Sequence, residues 1–379
     1  MYRILKQPRS NGIVIFAGNV GFMEIAALVS GGVDSSVTIP LLKDAGLDPV
    51  ICYIRITLAD DPAFKGCPQE EDMEITSYLA RKYGCRLEVV DLEQEYREQI
   101  ISYLIDAVSK GLTPNPDVLC NRLIKFGAFE EKFGKHFDMI TTGHYASTQE
   151  YQGIKWLTTA ADRHKDQTYF LSRITSPQLK KLHFPLGHLM KQEVRDLAER
   201  EALPSAHRPD SQGICFLGEI NYNEFIARYI GEKPGKIVEW ETGRILGQHK
   251  GYWFHTIGQR KGLGLPQGPW FVVRKETADN IIFVSNGYDP VSQYREQIVL
   301  QDFLFIAGNP LENDPFPWEV SLKIRHTPEF LKASITAYEN GVMRINPHMP
   351  VPGVAPGQFG VIYDADNRRC LGSGVIMED

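Results

Sequence analysis

The run Ser30-Gly31-Gly32-Val33-Asp34-Ser35-Ser36 follows directly on the short apolar stretch Ile25-Ala26-Ala27-Leu28-Val29, and Val37, Leu41 and Leu42 recur after it at helical spacing. This constrains the fold more than anything else in the chain, because a buried strand must hand over to a helix through a turn built on two adjacent glycines. Such a turn brings backbone N–H groups and the positive end of a helix up to whatever lies above it, and the serine hydroxyls add donors. It suits a phosphate. A carboxylate beside phosphates is repelled unless a divalent cation lies between them, so Asp34 is a candidate magnesium ligand. A plainer reading also fits these residues, a tight Gly-Gly turn with serine or aspartate capping the helix. The Gly-Lys-Ser/Thr ending of a Walker loop is absent.

Downstream, strands and helices alternate. Apolar spacing predicts a helix over 37–45 closed by Gly46, with Pro40 imposing a kink or a late start, then a strand over 49–54 and a helix over 70–83. A strand over 87–90, helices over 96–110 and 123–133, and a strand over 137–142 ending at Gly143-His144 follow. This alternation predicts an α/β unit with a doubly wound parallel sheet and ligands at the C-terminal strand ends, where the glycine turn and Gly143-His144-Tyr145 both fall. Residues 182–202 read as a turn and a helix of alternating charge. From residue 220 short strands take over, at 236–240, 271–274, 281–284, 319–324, 334–338, 342–345 and 359–363, predicting a small β-rich central unit and a C-terminal β-barrel. The expected division is an extension over 1–22, a catalytic α/β domain over 23–219, a central domain over 220–292 and a barrel over 293–379.

A net charge of −6 argues against nonspecific polyanion binding but leaves room for a local basic face, to which Gln259-Arg260-Lys261, Lys323 and Arg325-His326 contribute. The cysteines at 52, 67, 85, 120, 215 and 370 form no Cys-x-x-Cys pair, unlike a zinc site or a disulfide-dense scaffold, so a reducing cytoplasm is expected. No stretch reaches the length of a membrane span. Residues 1–22 read as an upstream extension or a start-site artefact, since Met23 directly precedes the first strand.

In Thr113-Pro114-Asn115-Pro116-Asp117-Val118-Leu119-Cys120-Asn121 two prolines fix an extended approach to a helix, placing Cys120 near a helix start where the dipole favours thiolate. Beside Val118-Leu119 the same cysteine also fits a small buried hydrophobe. His144 suits either a ligand contact or a structural hydrogen bond. Lys165-Asp166-Gln167-Thr168-Tyr169-Phe170 suits nucleic acid or a solvated helix start. Asp210-Ser211-Gln212-Gly213-Ile214-Cys215-Phe216-Leu217-Gly218 sets Cys215 among glycines that let its sulfur be approached.

The heptapeptide after a strand resembles the pyrophosphate loop of the ATP pyrophosphatase (PP-loop) superfamily, whose members split ATP into AMP and pyrophosphate by adenylating a carbonyl oxygen. The ordered set of runs is more specific. With His255-Thr256-Ile257-Gly258-Gln259-Arg260-Lys261-Gly262-Leu263-Gly264 and Pro356-Gly357-Gln358, it resembles the tRNA-specific 2-thiouridylase family from about residue 23 to the C-terminus. Many members carry Met-Lys-Asn-Trp after the second strand, where this chain reads Ile54-Arg55-Ile56-Thr57.

The resemblance implies an enzyme that replaces oxygen by sulfur at C2 of the wobble uridine of glutamate, lysine and glutamine tRNAs, using ATP and magnesium. It implies that Leu28, Val29, Ser30, Gly31, Gly32, Val33, Asp34 and Ser35 hold ATP, with Ile54 and Gly143 near the adenosine. Asn115, Pro116 and Asp117 would meet the target uridine, Asp117 assisting catalysis. His144, Lys165, Asp166, Gln167, Arg325, His326 and Gln358 match positions at the tRNA interface. Cys215 would carry a persulfide received from a sulfur-relay protein, and Cys120 would release the sulfur and close a transient disulfide with Cys215. Two other readings stand beside this one. Another ATP pyrophosphatase, an amidotransferase or ligase, needs no cysteine pair; a non-catalytic tRNA-binding protein releases no pyrophosphate.

Overall fold

The computed structural model describes residues 23–56, 69–210, 222–287, 294–312 and 314–378. The buried strand β1 (Ile25–Leu28) leads through the glycine turn into α1 (Val33–Asp44). This helix starts earlier than apolar spacing predicts, because Gly32 in extended conformation serves as its N-cap, and Pro40 is accommodated inside it. It ends as predicted, with Gly46 at φ +75° and the Leu47 N–H on the Leu42 carbonyl at 3.0 Å. Next come β2 (Pro49–Arg55), α2 (Gln69–Tyr83) and β3 (Leu87–Asp91). One helical stretch is formed by α3 (Glu93–Tyr96), a π-helical segment Arg97–Ile101 and α4 (Ser102–Ser109).

A second stretch joins α5 (Pro116–Cys120), a π-helical segment Asn121–Ala128 and α6 (Phe129–Lys132). Sequence spacing puts this helix at 123–133. It begins earlier because Pro116 occupies the first helical turn, where its missing N–H costs nothing, and extended Asn115 precedes it. The α/β unit is completed by β4 (Met139–Thr142), a hairpin of β5 (Ser147–Tyr151) and β6 (Ile154–Thr158), α7 (Ser176–Lys181), β7 (Leu182–His183) and α8 (Lys191–Arg200). Its sheet is parallel, in the order β3-β2-β1-β4-β7. Chain order reverses between β1 and β4, and Leu28 stands opposite Thr142, so the turns after both strands leave the sheet at one level. That crevice is where an open α/β sheet binds ligands.

The central unit opens with a helix that the strand pattern did not anticipate, α9 (Tyr222–Ile230), whose Phe225 and Ile226 are buried. Its sheet combines β8 (Gly235–Glu239), β9 (Ile245–His249), β10 (Trp270–Glu276) and β11 (Ile281–Asn286) in the order β10-β11-β8-β9. The last unit is a closed barrel, β12-β15-β14-β13-β16-β17, made by β12 (Ile298–Phe305), β13 (Trp318–Lys323), β14 (Leu331–Glu339), β15 (Val342–Pro347), β16 (Phe359–Asp364) and β17 (Cys370–Ile376). Closure leaves no unpaired strand edge.

Buried polar bonds fix the barrel to the α/β unit. Arg173 donates to the Ser373 carbonyl at 2.9 Å, Tyr169 Oη to the Phe359 carbonyl at 3.1 Å, and Thr168 and Tyr363 hydroxyls meet at 3.0 Å. Among the described residues no helix is long and apolar enough to cross a membrane.

Candidate active site

The glycine turn is shaped as an anion cradle. Gly31 takes φ +77°, and a Cβ there would stand 2.7 Å from the Asp72 Cα, so only glycine fits. The Ser30 N–H and hydroxyl meet Ser35 Oγ at 3.1 and 3.2 Å, and the Ser35 and Ser36 hydroxyls donate to the Gly32 carbonyl at 3.1 and 2.8 Å. These bonds tie the turn to the first turn of α1. No side chain caps that helix, whose leading N–H groups are left for a ligand.

Gly143, after β4, closes against the same helix start: a Cβ there would lie 2.6 Å from the Ser35 nitrogen. Gly143→Ala must therefore push the cradle apart. We expect the affinity of the turn for inorganic pyrophosphate, read by calorimetry, to fall about ten- to a hundredfold, the equivalent of the usual cost of overpacking, with the far-ultraviolet circular dichroism unchanged.

Asp34 is held by Lys191, which sequence reading missed, and by Tyr145, of the run already placed on this rim. Lys191, at the start of α8, donates to both its carboxylate oxygens at 2.7 and 2.9 Å, and Tyr145 Oη donates at 2.9 Å. The same ammonium reaches Asp210 at 2.8 Å, and Asp210 is also bound by Lys165 at 2.6 Å and Arg195 at 2.8 Å. Lys191 and Arg195 lie at i and i+4, one face of one helix. Arg208 closes the other side of the turn, donating to the Gly31 carbonyl at 3.0 Å and to Asp72 at 2.6 Å.

Burial pulls the Asp210 carboxyl up, but hydrogen bonds from Lys165 and Lys191 outweigh it and bring the group down to about 2. A carboxylate depressed by folding stabilises the protein above its unfolded value, near 4, and loses that contribution as pH falls through about 2. Asp210→Asn should flatten this part of the stability curve. Thermal unfolding followed between pH 5 and pH 2 reads it directly.

The second half of the site forms around residues 113–117, where all three units meet. The Thr113 N–H donates to the Pro356 carbonyl at 2.8 Å, and Gln358 Nε2 donates to the Thr113 and Pro114 carbonyls, each at 3.2 Å. Asn115 donates to Gln358 Oε1 at 3.3 Å. A cavity of about 310 Å³ opens beside this strap, with Asn115, Pro116 and Asp117 on one wall and Trp253, His255 and Thr256 of the central unit on the other.

The sequence-predicted interface residues form a connected band. His326 Nε2 meets the Asp166 carbonyl at 2.8 Å and its ring lies 4.5 Å from that of Phe170; Gln167 accepts the Tyr145 N–H at 2.9 Å. Arg325 lies beside the Gly353 carbonyl at 3.2 Å. His144 is bound through Nδ1 to Thr142 at 2.8 Å, and burial, then Lys125, push it well below the ordinary histidine range, leaving it neutral.

Asp166 departs from a surface role. Its side chain is 2 % exposed and accepts the Ala160 N–H at 2.7 Å and the Thr168 hydroxyl at 2.5 Å, which orders the loop presenting Lys165 and Gln167. Ile54, Leu28 and Val29 are likewise buried in the sheet core. Cys120, at the end of α5, is fully buried against apolar neighbours. Cys215, its expected partner, and Cys67 lie outside the described residues, as do residues 1–22.

For Asp34 as a metal ligand, the donor set is lean. Among the described residues no three His, Cys, Asp or Glu side chains converge on one point, and Lys191 already spans both Asp34 oxygens. This fits an ion held chiefly by substrate phosphates and water with one protein carboxylate, not a preformed cage.

A parallel sheet with a glycine turn at its switch point, a cavity lined jointly with the central β unit, and a barrel bonded to the strap beside that cavity define a composite α/β scaffold with the shape of a phosphate-using enzyme. Comparison with known proteins gives the same three parts: residues 23–219 match the tRNA methyl transferase HUP domain, 223–286 the tRNA methyl transferase PRC-barrel domain, and 295–376 the aminomethyltransferase beta-barrel domain. The chain is 59% identical over 357 residues to the tRNA-specific 2-thiouridylase MnmA of Parabacteroides distasonis, covering 94% of this chain and 99% of that protein. It is 56% identical to the tRNA-specific 2-thiouridylase MnmA 2 of Bacteroides fragilis, covering 93% and 100%, and 54% identical to the MnmA of Porphyromonas gingivalis, covering 94% and 99%. The chain belongs to the tRNA-specific 2-thiouridylase MnmA family.

Proposed function

We propose that this protein is a tRNA 2-thiouridylase that adenylates the C2 oxygen of the wobble uridine and then replaces it by sulfur. The observation that carries the reading is the convergence of all three units on residues 113–117, beside a cavity sized for one extruded nucleotide, in a chain whose full-length relatives bear that name. An enzyme that works on a base inside a tRNA needs such a composite pocket.

ATP fits the cradle between the turn at Ser30 to Gly32 and the start of α1, with Gly143 closing it and Lys191 and Arg208 as neighbouring cations. Magnesium, carried in with the phosphates, would take Asp34 as its protein ligand and neutralise charge on the pyrophosphate leaving group. The uridine C2 oxygen attacks the α-phosphorus and pyrophosphate departs. The terminal sulfur of a Cys215 persulfide then attacks C2 and AMP leaves with the former carbonyl oxygen. Cys120 as thiolate attacks the Cys215 sulfur, the C2-bound sulfur departs as 2-thiouridine, and a Cys120–Cys215 disulfide remains to be reduced by an external thiol. Asn115 and Asp117 face the base, and Asp117 assists the proton bookkeeping at the uracil. Lys165, Gln167, Arg325, His326 and Gln358 lie on a band that suits the anticodon loop, and a persulfide-bearing relay protein supplies the sulfur.

Because Cys120 is buried, its thiol must be uncovered when the substrate complex forms. The test is tRNA-dependent release of pyrophosphate. A glutamate, lysine or glutamine tRNA with a wobble uridine should stimulate it and the same tRNA with a wobble cytidine should not; equal release with both would remove the reading.

A further inference from the structure

The histidine on the central unit's side of the cavity is held on a rigid platform. At Gly251 a Cβ would stand 2.5 Å from the Trp253 ring, so the chain turns there only as glycine. Trp253 Nε1 donates to the Gly231 carbonyl at 3.2 Å, and Tyr252 Oη donates to the Ser109 carbonyl at the end of α4. The His255 N–H returns to the Tyr252 carbonyl at 3.1 Å, and Lys275 donates to the His255 carbonyl at 3.2 Å. Behind the ring stands His249, edge-on at 5.4 Å.

The platform presents an imidazole with unused capacity. His255 is 8 % exposed, and its Nδ1 is enclosed with no hydrogen-bond partner among the described residues. Buried polar atoms of this kind are uncommon and call for an occupant or an explanation. No internal bond at Nδ1 fixes which nitrogen carries the proton, so the tautomer is set by what meets the ring in the cavity. Burial, then His249 and Lys275, push the group down to about 4, so the ring is neutral at physiological pH. A neutral imidazole offers one donor and one acceptor. The pairing edge of uracil alternates acceptor, donor, acceptor; the two ring nitrogens point apart and Nδ1 is enclosed, so Nε2 alone is left to meet that edge, donating to O4 or accepting from N3–H according to the tautomer. A cationic side chain would only donate.

We propose that His255 is a base-positioning residue, meeting one atom of the N3–H/O4 edge of the target uracil through Nε2 from the central unit while Asn115 and Asp117 hold the base from the α/β unit. The proposal rests on the thiouridylase reading and adds to it a specificity element outside the α/β unit. It also gives the central unit a part in selecting the base.

The test uses the full chain, a sulfide source, and tRNA carrying wobble uridine, with single-turnover thiolation and tRNA affinity measured together. His255→Ala should slow thiolation of uridine roughly 10- to 100-fold, as expected for one lost buried hydrogen bond with its partner left unpaired, while tRNA binding changes less than about threefold. His255→Gln, which keeps a donor and an acceptor, should recover part of the rate, and it serves as the working variant if His255→Ala does not fold. Thiolation by His255→Ala within about twofold of wild type overturns the proposal. So does a His255→Gln variant that binds tRNA normally yet shows no rate loss, or a loss shared equally by rate, tRNA binding and melting temperature in both variants. No 2-thiouridine from the wild-type chain would instead remove the reading on which the proposal rests.

Discussion

Cys120→Ala is expected to abolish 2-thiouridine formation from a persulfide donor, by at least about a thousandfold, while leaving the protein folded. The two halves of this expectation have separate causes. Cys120 is fully buried against Val118, Ile124 and other apolar side chains, so losing one sulfur atom costs about 1 kcal/mol, as for other single-group deletions in a core. The chemistry, in contrast, has no substitute for a second thiol to take up the Cys215 sulfur once the outer sulfur is bonded to C2. With inorganic sulfide as nucleophile neither cysteine is required, and the variant should regain product. Single-turnover assays with the two donors, run in parallel, check this. Equal 2-thiouridine formation by Cys120→Ala and wild type with the persulfide donor would show that Cys120 is not the thiol that takes up the Cys215 sulfur.

The second large effect belongs to Lys191→Met. Its ammonium is the group shared by Asp34 and Asp210, at 2.7 and 2.8 Å, and lies beside the phosphate cradle. Methionine keeps the length and removes the charge, so two carboxylates are left facing the place where a triphosphate arrives. Pyrophosphate release should fall by two to three orders of magnitude, roughly 3–4 kcal/mol of lost charge stabilisation at the transferring phosphorus. Stability should fall by about 1–3 kcal/mol, because Asp210 keeps Lys165 and Arg195 and Asp34 keeps Tyr145. Pyrophosphate assays and urea unfolding of the same preparation separate the two losses. A variant as active as wild type would show that Lys191 only braces the fold.

Local features were the legible ones. The glycine pair at 31–32 stood out because two adjacent glycines between an apolar run and a helical one announce a tight turn, and strand and helix periods are likewise local, so the parallel sheet and the barrel followed from spacing alone. Other features were set by residues far apart in the chain. Nothing local marks Gln358 as the partner of Asn115, or Arg208 as the partner of the Gly31 carbonyl, and both meet only after folding. Lys191 and Arg195 were hidden by resemblance to an ordinary solvated helix, although their i and i+4 spacing was a usable signal. The hairpin of β5 and β6 was missed for want of a strong turn pair, since Gln152 and Gly153 both take positive φ where Asn-Gly would have announced it. Cys120 lies soon after a helix start and wholly inside the core, the placement of a small buried hydrophobe.

The most direct measurement is nucleoside mass spectrometry of an unmodified glutamate, lysine or glutamine tRNA incubated with this protein, ATP, magnesium and a sulfide source, with AMP followed alongside. The account predicts 2-thiouridine at the wobble position and one AMP for each one formed. AMP without 2-thiouridine, or neither product from folded protein that still binds the tRNA, would contradict it.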